Sequence, residues 1–213
     1  MHSLSLLLAD TPDYEITALV NGMLRWAHIA SGITWIGMLY FFNFVNVPFQ
    51  GKLDGPTKKM VNPELMPRAL WWFRWGAMST FVFGLVLFYV KYMKEPNLRN
   101  AIDDSISDRA LWIMTGMLLG TIMWFNVWFV IWPAQKILIK ATREGQKPPE
   151  HLPPRAKLFS RINTVLSALM LVCMVASNNQ MAFKWMQVGA SFLISLLVIH
   201  LAIRASNKVG ASS

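Results

Sequence analysis

Between Arg25 and Lys52 no residue carries a fixed charge, and an apolar stretch of that length is what a helix needs to cross the hydrocarbon of a bilayer, about 20 residues. Four more such runs follow. Ala69 to Val90 is interrupted only by Arg74, close enough to one end for its guanidinium to reach the headgroups. Ala110 to Gln135 is uncharged and ends near Pro133, a natural helix stop. Arg161 and Lys184 bracket a fourth run, and Trp185 to Ile203 makes a fifth, with the polar turn Ser177-Asn178-Asn179-Gln180 between them. Charged residues are 15% of the chain, well under the roughly 25% of soluble domains. The predicted fold is all-α: an integral membrane bundle of five transmembrane helices in a single domain, 1–213, with spans at about 24–46, 69–91, 110–133, 160–177 and 184–204, the last two forming a tight hairpin.

Five spans put the termini on opposite sides. The ends at 46–75, 133–161 and 204–213 carry fourteen of the 20 Lys and Arg residues. The other side holds Asp10, Asp13, Glu15, Glu95, Asp103, Asp104 and Asp108. By the positive-inside rule the N-terminus faces out and the C-terminus faces the cytoplasm of a bacterial inner membrane. The same reasoning assigns the net charge of +9 to the membrane surface and not to nucleic acid, because most aromatics sit inside apolar runs where no basic groove forms. Residues 1–15 lack the cationic start and cleavage site of a signal peptide and are expected to be retained. The link 137–160, rich in proline, reads as a stiff extended connector, and Trp71, Trp72, Trp75, Trp132 and Trp185 as an interfacial belt.

The one cysteine, Cys173, excludes an internal disulfide, a CxxCH haem attachment and a cysteine metal cluster in this sequence. No HExxH, phosphate loop or Ser/His/Asp set is present. An ionisable group inside a span is costly and therefore a functional candidate, and His28 is the best one. At about 3.6 residues per turn, Arg25, Ser31, Gly32 and Trp35 share its face. That stripe suits a b-type haem. A neutral imidazole ligates the iron, Gly32 and Ser31 leave room for the macrocycle, Arg25 meets a propionate, and Trp35 is an aromatic on the same stripe. The competing reading is helix packing on Ser31 and Gly32 with a single interhelical hydrogen bond from His28. His200 lies near the opposite face, roughly 20 Å deeper, too far to share an iron. Met114, Met117 and Met174 are at a depth that could complete the coordination, but methionine is more often a gap-filler. A second polar set, comprising Asn43, Asn46, Arg74, Asn126, Arg161, Asn163 and Thr164, collects at the inner end as interhelical glue or as a substrate or quinone-head pocket.

Four segments, Arg25 to Gly37, Trp72-Phe73-Arg74-Trp75, Asn126 to Lys136 and Asn163 to Asn178, together resemble the transmembrane domain of the bacterial membrane-bound urate hydroxylases, the urate oxidase N-terminal domain family. The His-Ile and Trp-Ile-Gly pattern of the first span is more faintly similar to membrane protoporphyrinogen oxidases. The resemblance implies a redox role in the inner membrane, with His28 as haem ligand, Arg25 in support and electrons leaving towards cytochrome c or a larger respiratory complex. The expected function is thus a haem b electron-transfer protein. Its alternatives are a cofactor-free accessory subunit and an oxidoreductase acting on urate or a similar ring.

Overall fold

The structure is a computed structural model that describes residues 12–94, 98–100 and 105–209. Most of the N-terminal segment expected to be retained, along with Glu95, Asp103 and Asp104, lies outside the described residues. Five long helices, α1 (Glu15–Lys52), α2 (Gly55–Met93), α3 (Asp108–Glu144), α4 (Leu152–Asn178) and α5 (Trp185–Lys208), are each long and apolar enough to cross a membrane. The chain is therefore all-helical and has the form of a multi-pass membrane protein. Among the described residues the only extended pairing is an isolated bridge between Arg99 and Ile106.

α1 packs along α2 and α3 along α4, while the C-terminal part of α3 returns to α2 and α4 touches α1. α5 lies outside this four-helix arrangement, against α4 and a short stretch of α1. The α4–α5 turn carries Gln180 in a left-handed conformation, φ 52°, and is pinned to α3 by the Trp112 indole, which donates to the Met181 carbonyl at 3.0 Å. Trp35, Leu39, Phe73, Met123 and Val127 form the centre of the core where the first three helices meet. Most other large apolar side chains face outward, Leu193, Ile194 and Leu197 of α5 among them, as expected where the surrounding solvent is hydrocarbon.

The helices run well beyond the apolar stretches, and prolines expected to stop them do not. Pro133 lies inside α3, directly after the π-helical segment Asn126–Ile131, where the carbonyl ladder is already irregular; Pro153 and Pro154 lie in the first turn of α4, where a missing N–H leaves little unsatisfied. The link expected to be an extended connector over 137–160 is thus helical at both ends. It narrows to 145–151, beginning at Gly145 in the left-handed C-cap position, φ 67°. α2 likewise begins at Gly55, N-capped by Asp54, and continues through Pro63 and Pro67. Hydrogen bonds from Thr57 hold the Asp54 carboxyl below its ordinary pKa.

Three segments adopt π-helical geometry: Phe41–Asn46 in α1, Tyr89–Lys94 at the end of α2 and Asn126–Ile131 in α3. A π turn adds a residue to the helical repeat, rotates the side chains that follow and loosens the carbonyl ladder. The Phe44 carbonyl, inside the first of them, accepts from the Ser206 hydroxyl and so ties α5 to α1.

Candidate functional site

The α1–α2 seam is built on small residues of α2 at four-residue spacing, Gly76, Thr80 and Gly84, the pattern that lets membrane helices approach closely. A Cβ at Gly76 would lie 3.1 Å from the Trp35 backbone nitrogen and 3.3 Å from its Cα, so the two backbones touch. Thr80 turns its hydroxyl back to the Gly76 carbonyl at 2.7 Å and its methyl to Gly32, whose Cβ would stand 3.8 Å away. One turn further on, the seam opens just enough to admit an imidazole. His28 is half-buried there, its Nδ1 2.9 Å from the Thr80 carbonyl oxygen. A Cβ on Gly84 would be 3.0 Å from the ring's Cε1.

A carbonyl only accepts, so Nδ1 carries the proton and Nε2 is left with the lone pair. Nε2 has no hydrogen-bond partner among the described residues. An imidazole donating through one nitrogen to a backbone carbonyl, with the other nitrogen unprotonated, is the arrangement that orients metal-ligating histidines. Beside this seam, Leu24, Ala27 and Phe83 help line an open apolar groove of about 420 Å³. Arg25, one turn outward on α1, is exposed and has no ion-pair partner among the described residues. The free imidazole nitrogen is a donor of the kind a haem iron takes, while the groove itself is lined by neither His28 nor Arg25.

Gly32 and Trp35 also take part in the α1–α2 contact. Gly32 receives the Thr80 methyl, and Trp35, 1% exposed, lies in the core against Gly76. Both serve the close approach that positions His28. Met174 packs over Gly116 in the α3–α4 seam, where a Cβ would meet its Cε at 2.7 Å; Met114 is exposed and Met117 half-buried. His200 is exposed on α5. Thr80 and Gly84 were missed in the sequence, although the spacing 76, 80, 84 was there to be read.

The inner polar set separates into four groups. Asn126 donates to the Asn163 carbonyl oxygen at 2.8 Å and Asn163 to the Met123 carbonyl at 3.0 Å, a fully buried link between α3 and α4. Arg74 lies among the rings of Trp75, Trp128 and Trp132, its Cζ 5.7, 5.2 and 4.0 Å from their centroids, which supplies cation–π attraction in place of a counter-ion. Asn43 donates to the Leu39 carbonyl and to Ser160. Asn46 accepts from Gln50, which forms a reciprocal amide pair with Asn62 at 2.7 and 3.1 Å. Thr164 bonds back to the Ser160 carbonyl. Arg161 is half-buried and joins none of these hydrogen-bonded groups.

Residues 97–209, slightly more than half of the chain, match the family described as urate oxidase N-terminal. The chain belongs to the urate oxidase N-terminal family. No curated protein and no solved structure matches it. The urate oxidase N-terminal match covers α3, α4 and α5, and with them the segments Asn126 to Lys136 and Asn163 to Asn178 that carried the resemblance. α1 and α2 precede it. Family membership therefore stands on the second half of the bundle, and the case for His28 stands on the geometry of the α1–α2 seam. Among the described residues no group of three or more His, Cys, Asp or Glu side chains is arranged to hold a metal ion, so the single imidazole is the feature to explain.

Proposed function

We propose that this urate oxidase N-terminal family protein is an inner-membrane redox protein that holds one b-type haem through His28 and passes electrons within a respiratory assembly. The observation that carries the reading is the His28 ring itself, with Nδ1 on the Thr80 carbonyl and Nε2 unpartnered. Bound haem supplies reversible one-electron chemistry. The chain's own residues do the rest: the Thr80 carbonyl fixes the tautomer, Gly84 sets where the ring stands, and the Arg25 guanidinium is a cation for a propionate carboxylate. A dithionite-reduced minus air-oxidised spectrum of the purified protein should show a Soret band and a b-type alpha band, and a pyridine haemochrome assay about one haem per chain. A preparation free of haem overturns the reading.

The charge asymmetry of the loops supports an N-terminus outside and a C-terminus in the cytoplasm, which puts His28 near the outer face, where cytochrome c is a suitable electron acceptor. A fluorescent protein fused after Ser213 should then fluoresce, and an alkaline phosphatase fused there should be inactive; the reverse pair of results inverts the topology.

The second reading is a cofactor-free accessory subunit, favoured by α5, whose exposed Leu193, Leu197 and Leu201 offer a partner subunit a continuous apolar face. It predicts a colourless protein that co-purifies with a larger membrane complex.

A further inference from the structure

At the opposite end of α1 from His28, about 27 Å along the helix at ~1.5 Å per residue, α1, α2, α3 and α4 line a second, half-open cavity of about 350 Å³. Its walls are mostly apolar, with Phe42 and Phe73 edge to face at 5.5 Å and Leu70 and Ile131 beside them. Its polar groups are nearly all neutral amides and hydroxyls, and among the residues that line it Lys157 carries the only charge. Two of the three π-helical segments border it, since Phe42, Asn43 and Asn46 come from the first and Ile131 from the third. Helices wound so irregularly at one level, on facing elements, are common where a fold makes room for a ligand.

Two amides at the cavity have donors to give. Gln135 lines it and makes no hydrogen bond among the described residues. Asn46, 7% exposed, accepts from Gln50 through its Oδ1, but its Nδ2 has only the Met66 sulfur at 3.8 Å, a weak acceptor. Gln135 is half-buried, so its amide reaches the cavity with N–H groups that a ligand oxygen can accept from. No carboxylate lines the cavity to attract a cation, and an anion would find one lysine where phosphate-type sites gather several donors and arginines. What complements apolar walls and unpaired N–H groups is a flat, uncharged ring bearing carbonyl oxygens.

We infer that this cavity binds a planar ring with two carbonyl groups, of the kind carried by membrane quinones. Gln135 and Asn46 donate to the carbonyls, and the ring lies against Phe42 and Phe73. The assignment does not depend on haem at His28, because it concerns equilibrium binding to the other end of the bundle. A quinone headgroup diffusing in the bilayer and a water-borne ring share this chemistry, and they differ in whether an alkyl tail contributes.

The test is a titration of the purified full-length protein in nanodiscs with decylubiquinone, read by quenching of tryptophan fluorescence, alongside a ubiquinone ring lacking the decyl chain. Saturable quenching is expected. Gln135→Leu, which removes a side chain with no internal hydrogen bond to lose, should weaken binding about tenfold, the effect of one hydrogen bond. Asn46→Leu tests the second donor and Thr121→Val, on the exposed face of α3, is the control that should bind as the parent does. Tighter binding of the tailed compound assigns the site to a membrane quinone; equal binding assigns it to a water-borne ring. Non-saturable quenching, or affinity unchanged in both Gln135→Leu and Asn46→Leu, overturns the proposal.

Discussion

Gly76→Val should be the most destabilising single substitution in the α1–α2 seam, lowering stability by about 3 kcal/mol, the upper end of ordinary overpacking. The reason is the identity of the neighbour. At Gly84 and Gly116 an added methyl meets side-chain atoms of His28 and Met174, but at Gly76 it meets the Trp35 backbone nitrogen at 3.1 Å and Cα at 3.3 Å. A backbone inside a helix cannot rotate away, so α1 and α2 must separate along their length. Close approach is also the main source of helix association in lipid, where no hydrophobic difference drives it. Separation would lengthen the His28 to Thr80 bond as well. Gly37, exposed on α1 with nothing within 4 Å of a Cβ, provides the comparison: Gly37→Ala should be neutral or stabilising by up to about 1 kcal/mol through helix propensity. Reversible unfolding in mixed micelles with increasing dodecyl sulfate measures both. Equal midpoints for Gly76→Val and Gly37→Ala would show that the two helices do not touch at Trp35.

The five helices were legible because burial in lipid is written in composition: long uncharged runs at Arg25–Lys52 and Ala110–Gln135 admit little else. Their true lengths were not, since proline was read as a stop. Pro133 lies inside α3 behind a π-helical segment and Pro153 in the first turn of α4, and whether a proline ends a helix depends on what precedes it. The hairpin of α4 and α5 followed from the Ser177 to Gln180 turn, and interhelical partners for the inner amides from their need for them in lipid, but which amide meets which, Asn126 with Asn163 among them, was not written in the sequence. The π-helical segments have no such signature. Asn43 and Asn46, from one of them, border a cavity while Asn126 and Asn163 close on each other, so one list of polar residues became several separate groups. His28 stood out as an intramembrane imidazole, but its partner did not, because a backbone carbonyl has no residue code. The only written trace of that acceptor was the small-residue spacing Gly76, Thr80, Gly84.

His28→Ala should abolish haem binding, at least tenfold in haem content per chain, while leaving a folded bundle. The variant removes one hydrogen bond to the Thr80 carbonyl, and such bonds in membrane bundles contribute about 0.6 kcal/mol on average. The seam itself, made by Gly76 against Trp35 two turns away, is untouched. Stability and cofactor are therefore expected to part company, which a merely structural histidine would not allow. Gly84→Ala sharpens the assignment. Its new methyl would stand 3.0 Å from Cε1 and 3.4 Å from Nδ1, so the ring must tilt away from the Thr80 carbonyl while remaining present. Haem should stay bound with a shifted alpha band and altered reduction potential, because the hydrogen bond on the far nitrogen sets how basic the ligating nitrogen is. Arg25→Ala, at an exposed position, should keep the ligand and its band and change only the propionate's surroundings. Absorption spectra with haemochrome quantification, run beside circular dichroism on the same three preparations, separate these outcomes. A full haem complement in His28→Ala would move the ligand elsewhere in the bundle and return His28 to the role of a hydrogen-bonded seam residue.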